Sequence, residues 1–355
     1  MSNRTIQTAV VGVTGYAGAE LARLLLHHPR LKGTPPAFAG RVDQQDVARG
    51  GVPLVEIHPE LAGSHSSHLV MQPFSWNLLS DLGVDVLFLA TPHEQSREWV
   101  PEALERGMRV IDLSGAWRLT EAANRAVYSF TDEGSERAEE TQEQAVYGMP
   151  ELHRTEIAKA KLVANPGCYA TSVILALKPL VAAGLVDLEC GIVADSKSGV
   201  SGAGKAPTPK THFMYAADNL SAYAVFGHRH TGELLEQVGL DADQIVFTPH
   251  LLPIPRGILS TIYVRFKKAE TAAHIAHVYR EFFNGSPMVR LHEKGLPQIQ
   301  YIVRTNYIDI GFQLDASGRR AVVVSCLDNL LKGASSQAVQ NMNVMMGWPE
   351  SEGLE

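Results

Sequence analysis

The glycine turn Gly12-Val13-Thr14-Gly15-Tyr16-Ala17-Gly18 constrains this chain more than any other stretch, because it joins an apolar run to an amphipathic one. Ile6 to Val13 reads as a buried strand, and Ala17 to His28 as a helix with Leu21, Leu24, Leu25 and His28 on one face. Pro29 closes that helix. Glycine at such a joint permits a tight turn and lets backbone amides approach a pyrophosphate, while the helix N-terminus adds partial positive charge. The spacing is G-x-x-G-x-x-G, looser than the dinucleotide fingerprint, so the strand–turn–helix context carries the reading. Gly12, Thr14, Gly15, Tyr16, Ala17 and Gly18 are the candidate cofactor contacts.

The alternation continues. Pro36–Gly40 predicts a second strand, Val84–Ala90 a strong one, Ser96–Arg106 a helix despite Pro101, and Met108–Leu113 a further strand. Strands alternating with helices predict parallel pairing, hence an α/β, doubly wound, Rossmann-type parallel sheet. The second strand ends in Ala39-Gly40-Arg41, with no carboxylate for ribose hydroxyls and with an arginine suited to a 2′-phosphate. The expected cofactor is therefore NADP(H), with Arg41 as a contact. Thr91-Pro92-His93 follows the Val84–Ala90 strand at its carboxyl end, where ligands of open parallel sheets lie. Pro92 is a candidate there, and His93 reads as a loop histidine.

Residues 132–145 are rich in Glu and Gln and read as an exposed helix or loop. Beyond Asn165 the strands lengthen: Gly191–Ser196, Gln244–Leu252, Ser260–Lys267, Tyr307–Leu314 and Arg320–Leu327, with helical patterns such as Ala272–Phe283 between them. That predicts an α+β catalytic domain with a mixed sheet. A chain of 355 residues exceeds one ordinary core. The expected division is 1–164 with 328–355 for the dinucleotide-binding domain and 165–327 for the catalytic domain. Gly333 to Met346 reads as a final helix, expected to pack back on the first domain.

Composition excludes several function classes. At 45% hydrophobic and 19% charged, the chain can build a core and is not of disordered type. The net charge of −7 argues against nucleic acid as a partner, although local Arg and Lys can still hold an anionic substrate. No apolar run approaches the ~18 residues of a membrane span, and the N-terminal stretch lacks a signal-peptide pattern. Cys168, Cys190 and Cys326 do not form a disulfide framework. The cytosol is the expected location, and there Cys168 stays a free thiol.

Asn165-Pro166-Gly167-Cys168-Tyr169-Ala170-Thr171-Ser172 is the most informative stretch. Pro166-Gly167 does not sit comfortably inside a helix, whereas Ala170 to Leu180 is helical in pattern, so Cys168 falls at a helix N-terminus. That position favours thiolate and predicts a lowered pKa, and its amides can hold an oxyanion. Cys190 and Cys326 read instead as small buried hydrophobes. Phe226-Gly227-His228-Arg229-His230-Thr231-Gly232-Glu233 offers two histidines and an acid for proton transfer. A zinc site needs more ligands than this pattern supplies, so no metal is expected. Ser198-Gly199-Val200-Ser201-Gly202-Ala203-Gly204-Lys205 is a donor-rich loop that could wrap an anion or serve as a linker.

These stretches together resemble the N-acetyl-γ-glutamyl-phosphate reductase family nearly end to end. The likeness includes Asp112-Leu113-Ser114 with Arg118, Tyr147-Gly148-Met149-Pro150-Glu151, Pro253-Ile254-Pro255-Arg256-Gly257 and Asp328-Asn329-Leu330-Leu331-Lys332-Gly333. The resemblance implies reduction of N-acetylglutamyl 5-phosphate by NADPH to the semialdehyde, in arginine biosynthesis, through a Cys168 thioester. It implies His228 as proton carrier, His230 beside the substrate, and Arg118, Asn165, Lys205 and Arg256 as substrate contacts. Ser198, Gly199 and Asn329 would meet the cofactor. A homo-oligomer, dimer or tetramer, is the expected assembly. Where the family often has Asp-Leu-Ser-Ala-Asp-Phe-Arg, this chain has Ala116 at the aspartate position. Rival readings are the same chemistry on aspartyl or aminoadipyl phosphate, a non-catalytic NADP sensor, and a thiol hydrolase.

Overall fold

The computed structural model describes residues 6–63 and 66–355. Residues 1–5, part of the stretch read for a signal peptide, lie outside the described residues.

The first half forms an eight-stranded sheet. Its strands are β1 (Thr8–Val11), β2 (Ala37–Gly40), β3 (Val52–Pro53), β4 (Val70–Pro73), β5 (Val86–Leu89), β6 (Arg109–Asp112), β7 (Ala145–Tyr147) and β8 (Leu162–Ala164). They lie in the order β3-β4-β2-β1-β5-β6-β8-β7, and only the β3–β4 pair is antiparallel. β1 and β5 are buried at all four positions, as strands covered on both faces must be. Helix Tyr16–His27 covers one face through Leu21, Ala22, Leu24 and Leu25. On the other face, helix His93–Glu105 packs Val100 and Ala103 into a second apolar cluster. That helix starts three residues earlier than its apolar pattern predicts, directly after Pro92, and it tolerates Pro101. Residues 136–144 form the helix expected as one option for the Glu/Gln-rich stretch.

The second half forms a seven-stranded mixed sheet from β9 (Ile192–Gly199), β10 (Ser221–Ala222), β11 (Ile245–Leu252), β12 (Ile258–Arg265), β13 (Val289–His292), β14 (Ile308–Leu314) and β15 (Arg320–Leu327). The order is β10-β11-β9-β12-β15-β14-β13, with β11–β9 and β13–β14 parallel and the remaining pairs antiparallel. One face carries helix Cys168–Ala182, almost wholly apolar and buried, with Ile275 and Tyr279 of helix Ala272–Phe282 beside it. The other face shows exposed Val193, Val246 and Tyr263. Cys326 is buried as expected, but Cys190 is exposed. It lies in a short helical turn before β9, Leu188–Cys190, not in the strand.

After β15 the chain makes a turn of π-helix, Leu331–Ser335, and continues as helix Ser336–Met345. Leu331, Ala338, Val339, Met342, Val344 and Met345 join the cluster built on Leu21, Leu25 and Val10, so this helix packs on the first sheet. Among the described residues no helix is long and apolar enough to cross a membrane.

Candidate active site

The glycine turn sits where β1 gives way to its helix. Gly12 has φ +95°, and a Cβ there would stand 2.3 Å from the Ala90 carbonyl oxygen. A Cβ on Gly18 would stand 2.2 Å from the Gly12 carbonyl oxygen. The backbones of β1, β5 and the helix therefore meet without intervening side chains, as a pyrophosphate site requires. A cleft of about 690 Å³ opens there, lined by Gly12, Thr14, Gly15, Arg41 and Pro92. No carboxylate lines its Arg41 end, where Phe74 stacks on Trp99 at 4.2 Å. The donor set fits a nicotinamide dinucleotide bearing a 2′-phosphate. Phe74 and Trp99 escaped the sequence reading because nothing in their spacing marks them.

A second cleft, of about 640 Å³, shares Thr14 and Gly15 and adds Tyr16, Ser201, Lys205 and Arg256. Lys205 donates to the Thr14 carbonyl at 3.3 Å. Arg256 pairs with Asp328 at 3.0 Å and with Glu20 at 2.5 Å. Both cations, expected at the substrate, thus stand beside the glycine turn, and Arg256 is already neutralised by two carboxylates. Ala17 and Gly18 lie within the turn; the Ala17 carbonyl accepts from Ser335 Oγ at 2.7 Å.

Cys168 opens its helix, with Gly167 as the extended cap residue before it. A cavity of about 300 Å³ is lined by Cys168, Ser198, Lys210, His228, Arg229 and His230. Cys168, both histidines and two cations therefore share one space. Thr211 lines this cavity and the Lys205 cleft alike, so the two adjoin. Lys210 and Arg229 were not assigned from sequence. Their signals were present: Lys210 follows the glycine-rich loop, and Arg229 lies between the histidines.

The electrostatics correct one expectation. Burial pushes the Cys168 thiol up to about 11, against the opposing pull of the Tyr169 backbone N–H and the Arg118 charge. The helix N-terminus acts in the predicted direction, but desolvation of a half-buried thiol outweighs it. Burial, then the Arg229 charge, pushes His228 down to about 4. His230 is also driven well below its ordinary value by burial and by His228, Arg118 and Arg229. Burial thus favours the neutral thiol at Cys168 and the neutral imidazole at His228. The His230 backbone N–H donates to His228 Nδ1 at 3.1 Å, so neutral His228 carries its proton on Nε2. His230 Nδ1 has no hydrogen-bond partner, and a Cβ on Gly167 would strike the His230 ring at 2.4 Å.

Glu233 organises this corner. It is fully buried and accepts from the Gly167 backbone N–H at 2.9 Å, from Tyr147 Oη at 2.7 Å and from Arg118 Nη1 at 3.2 Å. Sequence reading marked it only as an acid near the histidines. Arg118, expected on substrate, also donates to the Asn165 and Leu113 carbonyls. Burial opposes its charge, yet Glu233 holds it above its ordinary value. Asn165 donates to the Ala334 carbonyl and accepts from Asn341, so its amide braces the C-terminal turn. Asn329 accepts from the Gly257 N–H and donates to Ser201 Oγ, so it ties the loop after Gly199 to the Arg256–Gly257 turn. Ser198 lines the cysteine cavity, whereas Gly199 packs under the next loop, its Cβ position 2.7 Å from the Arg256 nitrogen. Ala116 is buried, and its carbonyl lies 3.5 Å from Arg97 Nη1. Arg97 pairs with Asp132 at 2.9 Å and stacks on Trp117, so its charge is balanced without an acid at position 116.

Comparison with known proteins agrees with this architecture. Residues 7–160 match the semialdehyde dehydrogenase NAD binding domain, and residues 168–329 the semialdehyde dehydrogenase dimerisation domain. Aspartate semialdehyde dehydrogenase II from Vibrio cholerae, complexed with ASA, superposes with a TM-score of 0.70 at 17% identity, over 97% of this chain and 99% of that one. The Candida albicans aspartate semialdehyde dehydrogenase with NADP gives 0.69 at 14% identity, over 98% and 99%. Those likenesses establish the fold. In sequence, the chain is 44% identical to N-acetyl-gamma-glutamyl-phosphate reductase of Desulfotalea psychrophila, over 99% of this chain and 98% of the relative. It is 41% identical to the Methanococcus maripaludis strain C5 protein of the same name, over 98% and 97%. Near-complete coverage at this identity decides the matter: the chain belongs to the N-acetyl-gamma-glutamyl-phosphate reductase family.

Proposed function

We propose that this protein reduces N-acetyl-L-glutamyl 5-phosphate to N-acetyl-L-glutamate 5-semialdehyde with NADP(H), through a thioester on Cys168, as a step of arginine biosynthesis. The observation that carries the mechanism is the shared cavity of Cys168, His228 and His230, adjoining the nucleotide clefts and edged by Lys210 and Arg229.

Lys210 and Arg229 attract the anionic substrate, and Cys168 Sγ attacks its acyl carbon. The C–S bond forms, the C–O bond to phosphate breaks, and the thiol proton goes to neutral His230, whose Nδ1 has no hydrogen-bond partner. The nicotinamide, when bound, supplies the hydride that reduces the thioester carbon. His228 presents its Nε2–H to the oxygen that gains negative charge, alongside the helix N-terminal amides. Collapse breaks the C–S bond, frees the aldehyde and returns a proton to sulfur. Splitting the reduction this way replaces one hard step with two easier ones. Arg41 is the residue to grip the 2′-phosphate.

The cytosol suits a protein whose three cysteines are free. We assign self-association to the outer face of the second sheet, which leaves Val193, Val246 and Tyr263 exposed.

The deciding assay is phosphate-dependent NADP⁺ reduction by N-acetylglutamate semialdehyde. Turnover is expected with the wild type and absent with Cys168→Ser, while NADPH binding stays intact. Faster turnover of aspartate semialdehyde would overturn the substrate assignment. Arg41→Ser should weaken NADPH binding by about 1.5–3 kcal/mol and leave NADH binding unchanged. Equal loss for both cofactors would remove Arg41 from the 2′-phosphate.

A further inference from the structure

Lys332 and Glu151 are charged groups of the motif stretches that the mechanism does not use. Both side chains are fully buried, and Lys332 Nζ lies 2.7 Å from Glu151 Oε1. Lys332 Nζ also donates to Gln340 Oε1 at 2.6 Å, and Gln340 Nε2 donates to Glu151 Oε1 at 2.9 Å. Burial works most strongly against the Glu151 charge, but Lys332, Gln340 and a backbone N–H together outweigh it and hold the carboxyl below its ordinary value. A buried ion pair contributes little net stability, since desolvation offsets the attraction, whereas it is strongly directional.

The direction is informative. Lys332 lies in the π-helical turn Leu331–Ser335, and such turns recur at functional sites. The next residue, Gly333, lies against the nucleophile: a Cβ there would stand 2.8 Å from Cys168 Cβ. Two residues on, Ser335 holds the Ala17 carbonyl of the glycine-turn helix at 2.7 Å. Gln337, one turn later, donates to Thr171 Oγ1 in the cysteine helix at 3.0 Å. The segment Gly333–Gln337 thus touches both the helix that bears sulfur and the helix that follows the glycine turn.

We propose that Lys332 is a positioning residue: anchored on Glu151, it seats the π-turn so that Cys168 is held at a set distance from the nicotinamide. The inference rests on the reductase reading above. Loss of the anchor lets the turn drift, which misaligns sulfur and hydride donor without altering the pockets that bind substrate and cofactor.

Two variants test it. Glu151→Gln/Lys332→Met removes both charges and leaves neither one stranded in the core. Gly333→Ala leaves the ion pair in place and pushes a methyl group onto Cys168. Both are assayed with N-acetylglutamate semialdehyde, NADP⁺ and phosphate, using substrate with hydrogen or deuterium on the aldehyde carbon. The expected result is a fall in kcat of about tenfold or more, KM values within about twofold of wild type, and a larger deuterium isotope effect. Wild-type kcat in a folded variant would overturn the proposal. So would a loss that disappears on cooling below a lowered Tm. If the double variant does not fold, Glu151→Gln, which keeps a hydrogen-bonding partner for Lys332, carries the test. Absence of turnover in the wild type would instead refute the reductase reading.

Discussion

At Cys168 two influences of opposite sign act on one proton. The first amides of its helix favour thiolate, and burial favours thiol strongly enough to raise the group to about 11. Alkylation of Cys168 by iodoacetamide in the cofactor-free protein should therefore rise about tenfold per pH unit from pH 7 to 10, because the thiolate is the reactive form. The measurement belongs in a Cys190→Ser background, since Cys190 is exposed. A plateau near neutrality would contradict the burial argument. His228 behaves in the opposite sense, pushed down to about 4 in the folded protein from an ordinary value near 6.5. Between those values the unfolded chain binds more protons, so the contribution is complete above about pH 6.5 and is lost as pH falls toward 4. Tm measured from pH 7 to pH 4.5 should fall less for His228→Asn than for wild type.

At the scale of elements, the glycine turn depends on backbones in contact. Gly12→Ala would force a side chain to φ +95° and against Ala90, a strain of about 1–3 kcal/mol before any clash is relieved. Lowered Tm and weaker NADPH binding, read by fluorescence titration, are the expected outcome; unchanged binding would mean that the turn does not hold the pyrophosphate. This turn was legible because its cause is local: strand, glycines and helix follow one another in the chain. β1, β5 and β6 were legible as short apolar runs. β4, β7 and β8 were not, since three or four residues such as Ala145–Tyr147 carry no period and become strands only by pairing with neighbours. Helix ends shifted where proline acts as a start signal, as at Pro92 before His93. Cys190 was misread because a three-residue helical turn at the head of β9 turns it to solvent.

At the scale of the molecule, the site is an agreement between distant segments. Cys168 and the histidines announced themselves by residue type and local context. Glu233 did not, because its role depends on Arg118, Tyr147 and Gly167, which lie 115, 86 and 66 positions away. Lys205 and Arg256 entered through the family resemblance, and only the fold brings them beside Thr14 and Gly15. The outer face of the second sheet poses a whole-molecule question as well. Tyr263→Asp together with Val193→Lys should shift the protein to a smaller species in light scattering. An unchanged mass would place the self-association surface elsewhere.

The first sheet borrows part of its core from the other end of the chain. Leu331, Ala338, Val339, Met342 and Met345 complete the cluster begun by Val10, Leu21 and Leu25. Beside them Asn343 binds the buried His28 ring at 3.0 Å, and Trp348 stacks on it. A ribosome delivers residues in order, so Val10, Leu21 and Leu25 emerge early and wait for more than 300 further residues before their apolar cluster is closed. Translation thereby imposes a delay on assembly: while helix Ser336–Met345 lies in the exit tunnel, the first sheet keeps an open apolar face.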